Sequence, residues 1–259
     1  MFKIRAEQMA EFDKARIPGF ADYVVHHLKS FSPTHAKTMG EQGVREFAQS
    51  GLERANEYGF TRTGSVGLFV EMLILLGVKF DTDLQYPWAA EILNDNTIKD
   101  ELARADLLWE KLMLFLKATR GTNQTMVKRA IQNAKFFKFD RITSQINDYR
   151  PALTKALSSV YPEKYEYLNG KTVERIIDHA IVQSEAMEVG TTKGICLFAI
   201  LHFAMGKGFA EDPKFPWIAQ TLMEKSNGPE KRIEILNRKF KAYLDDVLVN
   251  LNSGATNVR

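Results

Sequence analysis

Cysteine is almost absent from this sequence. Cys196 is the single cysteine among 259 residues, so no intramolecular disulfide can form and a reducing compartment is expected. Long apolar runs are also missing: the longest, residues 66–76, contains Glu71 and is far shorter than the roughly 18 to 20 residues of a membrane span. Residues 1–16 lack the apolar stretch of a secretory signal. We therefore expect a soluble protein of the cytoplasm with no membrane span.

Neither sign of charge dominates. The 35 basic and 32 acidic residues leave a net charge of +3, too little to attract nucleic acid through the overall field of the protein. Apolar residues make up 45% of the chain, so a substantial core can be buried. Nucleic acid is therefore not the expected partner on the basis of overall charge.

Motifs for metal, phosphate and nucleophilic chemistry are missing. There is no HExxH pair or cysteine cluster, and the adjacent His26 and His27 point about 100° apart on a helix, so they do not share one metal easily. Residues 170–172 end like a phosphate-binding loop, but Tyr165 stands where that loop needs its first glycine. Cys196 lies in an apolar segment, where a core thiol is expected. We expect no metal and no cofactor, and the sequence identifies no catalytic residue.

Strand signals are missing as well, whereas helix signals recur. No segment alternates apolar and polar residues over a strand length, and no Asn-Gly or Asp-Gly turn joins two β-branched runs. Thr63 is placed to cap a helix that is apolar on almost every side. Gly59 is placed to end the preceding helix, and Gly77 to end the apolar helix itself. We predict an all-α protein.

The apolar helix belongs to an internal repeat, because residues 68–93 return as residues 197–222, 129 positions later and without a gap. We predict two related helical units that arose by duplication and pack as a pseudo-symmetric helical bundle. The first repeat is expected over residues 1–120, a basic helical connector over 121–141, and a second repeat with a long C-terminal helix over 142–259. In each repeat a glycine ends the central helix, an aspartate holds the next turn, and a tryptophan anchors the core. The expected structural anchors are Gly77, Phe80, Asp83, Pro87, Trp88, Gly206, Phe209, Asp212, Pro216 and Trp217.

Two polar residues lie inside the apolar helices of the repeats. Glu71 aligns with Ile200 and His202 aligns with Leu73, so the two repeats place their polar residue differently. A buried carboxylate has to be paired or has to change its pKa, and such a glutamate can serve as a general base. The structural alternative is that Glu71 lies on the one exposed edge of its helix or pairs with a nearby arginine.

The connector is the most basic part of the sequence. Its lysines and arginines interleave with Phe136, Phe137 and Phe139, and Asp140 is the one acid nearby. The candidate partner-binding cations are Lys117, Arg120, Lys128, Arg129, Lys135, Lys138 and Arg141. Such a mixture suits an acidic protein partner, nucleic acid with stacked bases, or an anionic membrane surface. It equally suits a solvated helix whose phenylalanines enter the core.

Several short motifs resemble a group of poorly characterised helical proteins of bacteria. The matching residues are Ile4, Arg5 and Glu7–Met9 in a polar start, then Tyr58–Thr61, and finally Leu76–Gly77, Phe80–Asp83 and Pro87–Ala89. The likeness covers the first half of the chain, and the second half keeps only the glycine, phenylalanine, aspartate, proline and tryptophan named above. Genes of this group often lie near genes for type VI secretion spikes, PAAR domains or effectors. The resemblance implies a link to type VI secretion, but its motif looks structural and carries no catalytic residues over.

These observations favour a non-enzymatic protein-binding module: a cytoplasmic adaptor, an effector chaperone or an immunity protein of a bacterial (type VI) secretion system. Its partner is expected to be another protein, such as a secreted effector or a spike component. The alternative is a helical enzyme or a small-ligand-binding protein with an inter-helix pocket at Glu71 or His202. A further alternative is nucleic-acid binding through residues 117–141, with the salt dependence that phosphate contacts bring.

Overall fold

Helices make up the regular structure of the computed structural model, which describes residues 19–137, 142 and 149–252, without the side chains of residues 20 and 21. No strand occurs in these ranges, so the predicted all-α class is confirmed. The helices are α1 (Phe20–Phe31), α2 (Pro33–Glu57), α3 (Thr63–Leu76), α4 (Pro87–Leu93), α5 (Glu101–Arg120), α6 (Thr125–Phe136), α7 (Tyr149–Val160), α8 (Pro162–Ala186), α9 (Thr192–Met205), α10 (Pro216–Met223) and α11 (Pro229–Asn252). The polar helix expected over residues 5–16 and the tail from residue 253 lie outside the described residues.

Membrane-spanning helices can be judged over the same ranges. Within them, no helix is both long enough and apolar enough to cross a bilayer.

Contacts divide the chain into two compact units. Of the described residues, the first unit holds those up to Lys111 together with the segment Lys207–Pro216, and the second holds those of Leu112–Gly206 and those from Trp217 onward. We call Lys207–Pro216 the crossing segment, because the chain on either side of it belongs to the second unit. The division therefore differs from the boundaries expected at residues 120 and 141. The reason is that α5 is one continuous helix whose two halves belong to different units.

The core of the first unit is built around α3. This helix is buried along almost its whole length, as its apolar sequence predicts, and it packs against α1 and α2. Gly51 on α2 permits a close approach, since a Cβ there would lie only 3.1 Å from side-chain atoms of Val70 and Leu73. A helix that is apolar on every side thus lies where neighbours cover every side.

The ends of the central helices follow the predicted signals with one correction. Gly59 and Gly77 end their helices with φ of +73° and +106°, a region that glycine enters without steric cost. Thr63, however, is the first residue of α3 and not its cap. The carboxylate of Glu101 takes the capping role, because it accepts hydrogen bonds from the Thr61 and Arg62 backbone N–H groups.

The second unit is built around α9, which packs against α8, α11 and α7. Its helices have the same bounds as those of the first unit at the offset of 129 positions: α7 matches α1, α8 matches α2, and α9 matches α3. The long helix of each unit is interrupted at the matching residue, Gly40 or Asn169, with φ of 70° and 62°. The equal bounds agree with a duplication, whose history stays a prediction.

The structural anchors behave alike in the two repeats except at the tryptophan. Asp83 and Asp212 each accept a hydrogen bond from the backbone N–H two residues later, at 3.0 Å, which confirms the predicted turn. Trp88 is buried and only 7% exposed. Trp217 is partly exposed and packs beside Tyr243, with ring centroids 6.2 Å apart, so the two tryptophans are not equally buried, and the role of Trp217 as an anchor stays a prediction.

Candidate functional site

Glu71 is buried on α3 and is paired with a histidine, not with an arginine. Its Oε1 lies 2.7 Å from Nε2 of His27 on α1, and the glutamate is 8% exposed. One hydrogen bond between these two atoms joins the side chains of α1 and α3. Of the alternatives left open by the sequence, the exposed helix edge and the arginine partner are not what the structure shows, and the histidine partner follows from the packing of α1 on α3.

His27 is the centre of an aromatic row on α1. Its ring stacks between Tyr23 and Phe31, which lie four residues away on either side, with centroid separations of 5.9 and 6.0 Å. Burial, and after it the charge of Glu71, raise the pKa of the Tyr23 hydroxyl. The three rings are partly exposed, so the row presents an imidazole held in one orientation by a buried carboxylate.

His202 lies in the other unit and is fully buried on α9. Its ring contacts His179 of α8 edge to face, with centroids 5.0 Å apart. Glu71 and His202 therefore each have a histidine partner within their own unit. No group of three or more potential metal ligands is found among the described side chains.

An open cleft of about 420 Å³ lies on α1 and α2, away from the predicted polar residues. Its lining residues are Val25, Arg45, Glu46, Gln49, Ser50 and Glu53. Its cation, Arg45, is held by Asp22 at 3.0 Å and by Glu41 at 3.5 Å. The inter-helix pocket expected at Glu71 is thus not this cleft, whose lining does not include that residue.

A buried lysine of the crossing segment is a feature that the sequence analysis missed. Lys214 is 2% exposed, and its ammonium donates to the carbonyl oxygens of Leu73 and Ile74 at 2.6 and 3.1 Å. It also lies 3.1 Å from the carboxylate of Asp212. Burial lowers the pKa of Lys214, and the Asp212 charge opposes that shift. Only its place between Pro213 and Phe215 in an otherwise apolar turn hints at burial in the sequence.

A second missed group joins α2 to the turn after α3. The carboxylate of Asp81 is buried and accepts hydrogen bonds from Arg54 Nε at 2.7 Å and from the Tyr58 hydroxyl at 2.8 Å. Burial, followed by the hydrogen bond and charge of Asp81, raises the pKa of Tyr58 to about 12. The second repeat has Ala210 at the matching position, so this network belongs to the first repeat alone.

The predicted basic connector is a helix over part of its length, and its cations differ in environment. Lys117 and Arg120 lie on α5, whereas Lys128, Arg129 and Lys135 lie on α6. Lys138 and Arg141 fall outside the described residues, as does Phe139. Burial lowers the pKa of Arg120, which is only partly exposed. The described cations therefore come from two helices.

Two of the three cations on α6 are in ion pairs. Arg129 pairs with Glu163 of α8, and Lys135 pairs with Asp245 of α11. Lys128 makes no ion pair with any described residue. These ion pairs neutralise part of the positive charge that the nucleic-acid alternative requires.

Two large apolar side chains lie beside the Lys135–Asp245 pair. Phe136 follows Lys135 and is 72% exposed, so the alternative in which this phenylalanine enters the core is wrong. Val249 is 65% exposed and lies one helical turn beyond Asp245 on α11. We call Lys128, Arg129, Lys135, Phe136 and Val249 the α6 surface. It combines positive charge with exposed apolar groups.

Cys196 is the remaining reactive group that the sequence singled out. It is buried in α9, and this burial raises the pKa of its thiol to about 12. A thiol of that pKa is almost entirely protonated at neutral pH, so the prediction of a core thiol agrees with the structure.

The chain was also compared with known proteins. No family model, curated protein or solved structure matches it. The resemblance to proteins linked to type VI secretion accordingly stays a prediction.

Proposed function

We propose that this chain is a protein-binding module whose α6 surface takes an acidic segment of a partner protein. The observation that carries the proposal is the exposure of Phe136, at 72%, on a helix with three cations and no acid. An exposed phenylalanine gains about 2 kcal/mol when a partner buries it. A partner that covers Phe136 and Val249 therefore gains apolar contact, and Lys128, the α6 cation outside an ion pair among the described residues, favours an acidic group beside it.

The charges on α6 favour a protein over a nucleic acid. Glu163 and Asp245 already neutralise Arg129 and Lys135, which leaves Lys128 as the α6 cation outside an ion pair among the described residues. Binding of a phosphate backbone requires several uncompensated cations, whereas an apolar patch with a charged rim is typical of protein interfaces. Lys135 also lies 5.6 Å from the Phe136 ring centroid, so the ammonium and the ring form one contact surface.

For the biological setting we propose a cytoplasmic adaptor, effector chaperone or immunity protein of a bacterial type VI secretion system. The partner is then a secreted effector or a spike component. The support for this setting is the resemblance of the motifs in residues 4–9, 58–61 and 76–89. The support for protein binding is independent of it, because it comes from the exposed side chains of α6 and α11.

The test is a pull-down of the tagged chain from its native bacterium, at low and at high salt, with nuclease-treated and untreated extracts. We expect one protein with an acidic segment to be retained at a stoichiometric level. Phe136→Ser and Val249→Ser should each reduce its retention at least tenfold, and Lys128→Glu should weaken it most at low salt. Met223→Ser is the matched control, because Met223 is equally exposed but lies on α10.

Three results would overturn this function. The first is equal retention of the protein by wild type and Phe136→Ser. The second is an equal loss of retention in a folded Met223→Ser chain, which would mean that binding does not depend on the α6 surface. The third is retained material that disappears after nuclease treatment, which would support the nucleic-acid alternative instead.

A further inference from the structure

The central helix of each unit ends in carbonyl groups that receive a buried ammonium. The last four carbonyls of a helix have no partner within it, and they carry its partial negative charge. At the end of α3 the Ile74 oxygen accepts from Lys214, as does the Leu73 oxygen, which also accepts from the backbone N–H of Gly77. At the end of α9 the Phe203 oxygen accepts from Lys164 at 2.6 Å. Phe203 matches Ile74 at the offset of 129, so the two lysines serve equivalent helix ends.

The two lysines nevertheless come from different places in the repeat. Lys164 lies in the first turn of α8 and matches His35, whereas Lys214 lies in the crossing segment and matches Gln85. The second repeat thus supplies both lysines, whereas the first repeat has His35 and Gln85 at the matching positions. Gln85 is fully buried, and its amide donates to Asp83 at 3.2 Å, so a glutamine fits the turn position.

Position 35 lies next to the capping site of the first unit. The His35 ring contacts Phe215, the neighbour of Lys214, edge to face at 5.7 Å. Burial, and after it the charge of Lys214, lower the pKa of His35 to about 4. A side chain at position 35 is therefore close enough to feel the Lys214 ammonium.

At the C-terminal ends of both α3 and α9, one lysine ammonium lies among aromatic rings. The Lys214 ammonium lies 5.7 Å from the Phe47 ring and 5.8 Å from the Phe215 ring. The Lys164 ammonium lies 5.3 Å from Phe203 and 5.8 Å from Phe115. Aromatic faces and carbonyls stabilise one ammonium, whereas two ammonium groups in such a site repel each other.

We propose that the end of each central helix is a site for one lysine, and that the first unit takes this lysine from the crossing segment instead of from position 35. The crossing segment then packs on the first unit, and its lysine supplies the cation at the C-terminal end of α3 that the first repeat does not supply. A lysine at position 35 is an equivalent source of the cation, as Lys164 is in the second unit.

Contacts between the crossing segment and the turn after α3 place Lys214 at the end of that helix. The backbone N–H of Lys207 donates to the Asp83 carboxylate at 2.6 Å, and Lys79 pairs with Glu211 at 2.7 Å. Gly208 lies against the turn after α3, since a Cβ there would come within 2.7 Å of the Val78 side chain. These contacts hold the segment, and the ammonium supplies the charge.

The experiment compares thermal unfolding, followed by circular dichroism, of the wild-type chain with Lys214→Gln, His35→Lys and the double variant. Lys214→Gln should lower the Tm by on the order of 10 °C, because it removes a buried cation and leaves Asp212 and two carbonyls without it. His35→Lys should also lower the Tm, because it adds a second ammonium beside Lys214. The double variant should regain at least half of the loss seen in Lys214→Gln. Lys207→Gln is the matched control and should change little, since its backbone N–H stays in place.

A double variant that melts no higher than Lys214→Gln overturns the proposal, as does a Lys214→Gln chain with the Tm of wild type. Should Lys214→Gln fail to fold, the double variant still decides the question. A helical spectrum with a cooperative transition in the double variant supports the replacement of Lys214 by a lysine at position 35. An unfolded double variant refutes it.

Discussion

Replacement of Asp81 by alanine is the sharpest test of the packing of the first repeat, because Ala210 is the natural residue at the matching position of the second. The Asp81 carboxylate is buried and accepts from both Arg54 and Tyr58. A hydrogen bond to a charged group contributes about 1.5 to 3 kcal/mol, and loss of one partner of a fully buried pair costs about 3 to 5 kcal/mol. The Arg54 side chain is 38% exposed and keeps Glu57 as a partner, so water and Glu57 offset part of the loss. We expect Asp81→Ala to lower the free energy of unfolding by about 2 to 3 kcal/mol.

Urea unfolding gives this free energy, and the tyrosine titration gives an independent check. The hydrogen bond and charge of Asp81 contribute to the raised pKa of Tyr58, so Asp81→Ala should lower that pKa from about 12. Burial is the largest cause of the shift, so the pKa should stay above its ordinary value of 10. The titration of Tyr58 is obtained by subtracting the tyrosinate absorbance of Tyr58→Phe from that of the chain that contains Tyr58. A free-energy change below about 1 kcal/mol, the size expected of an exposed pair, together with an unchanged titration, would refute the reasoning.

Two further predictions concern the tryptophans and acid. Trp88→Ala should lower the free energy of unfolding by about 3 to 5 kcal/mol, and Trp217→Ala by less, because Trp217 is partly exposed; equal urea midpoints for the two variants would contradict this. His35 has a pKa lowered to about 4, so between pH 6.5 and pH 4 the unfolded chain binds more protons and stability falls as the pH falls. Urea midpoints at pH 7 and pH 4.5 should therefore differ less in His35→Gln than in wild type, whereas the exposed His26→Gln should keep the wild-type difference.

Local sequence rules determined the helices and their ends. An almost wholly apolar segment fixes α3 as a buried helix whatever packs against it, because every side has to leave water. Gly59 and Gly77 end their helices because backbone sterics act within a few residues. Asp83 and Asp212 hold their turns through hydrogen bonds that reach two residues along the chain. The apolar pattern of a helix, the glycines that end helices and the aspartates that hold turns can all be recognised in a single sequence.

The tertiary structure decided which distant groups meet. The sequence left open whether Glu71 is buried or lies on an exposed edge, and its partner, His27, lies 44 residues earlier and meets it only because α1 packs on α3. Glu101 replaces Thr63 as the cap of α3 for the same reason, since it approaches from another helix. Such contacts depend on helix packing, which local patterns do not encode.

Sequence pattern and tertiary structure differ most clearly in where they place the crossing segment. The repeat pattern assigns Lys207–Pro216 to the second half, and in sequence Lys214 is an ordinary polar residue of a turn. The fold buries it in the first unit, where two carbonyls accept hydrogen bonds from its ammonium and the Asp212 carboxylate lies 3.1 Å away. The sequence determined which residues form each helix and turn. Only the tertiary structure decided which unit completes them, because burial of a charge depends on partners that the fold brings together.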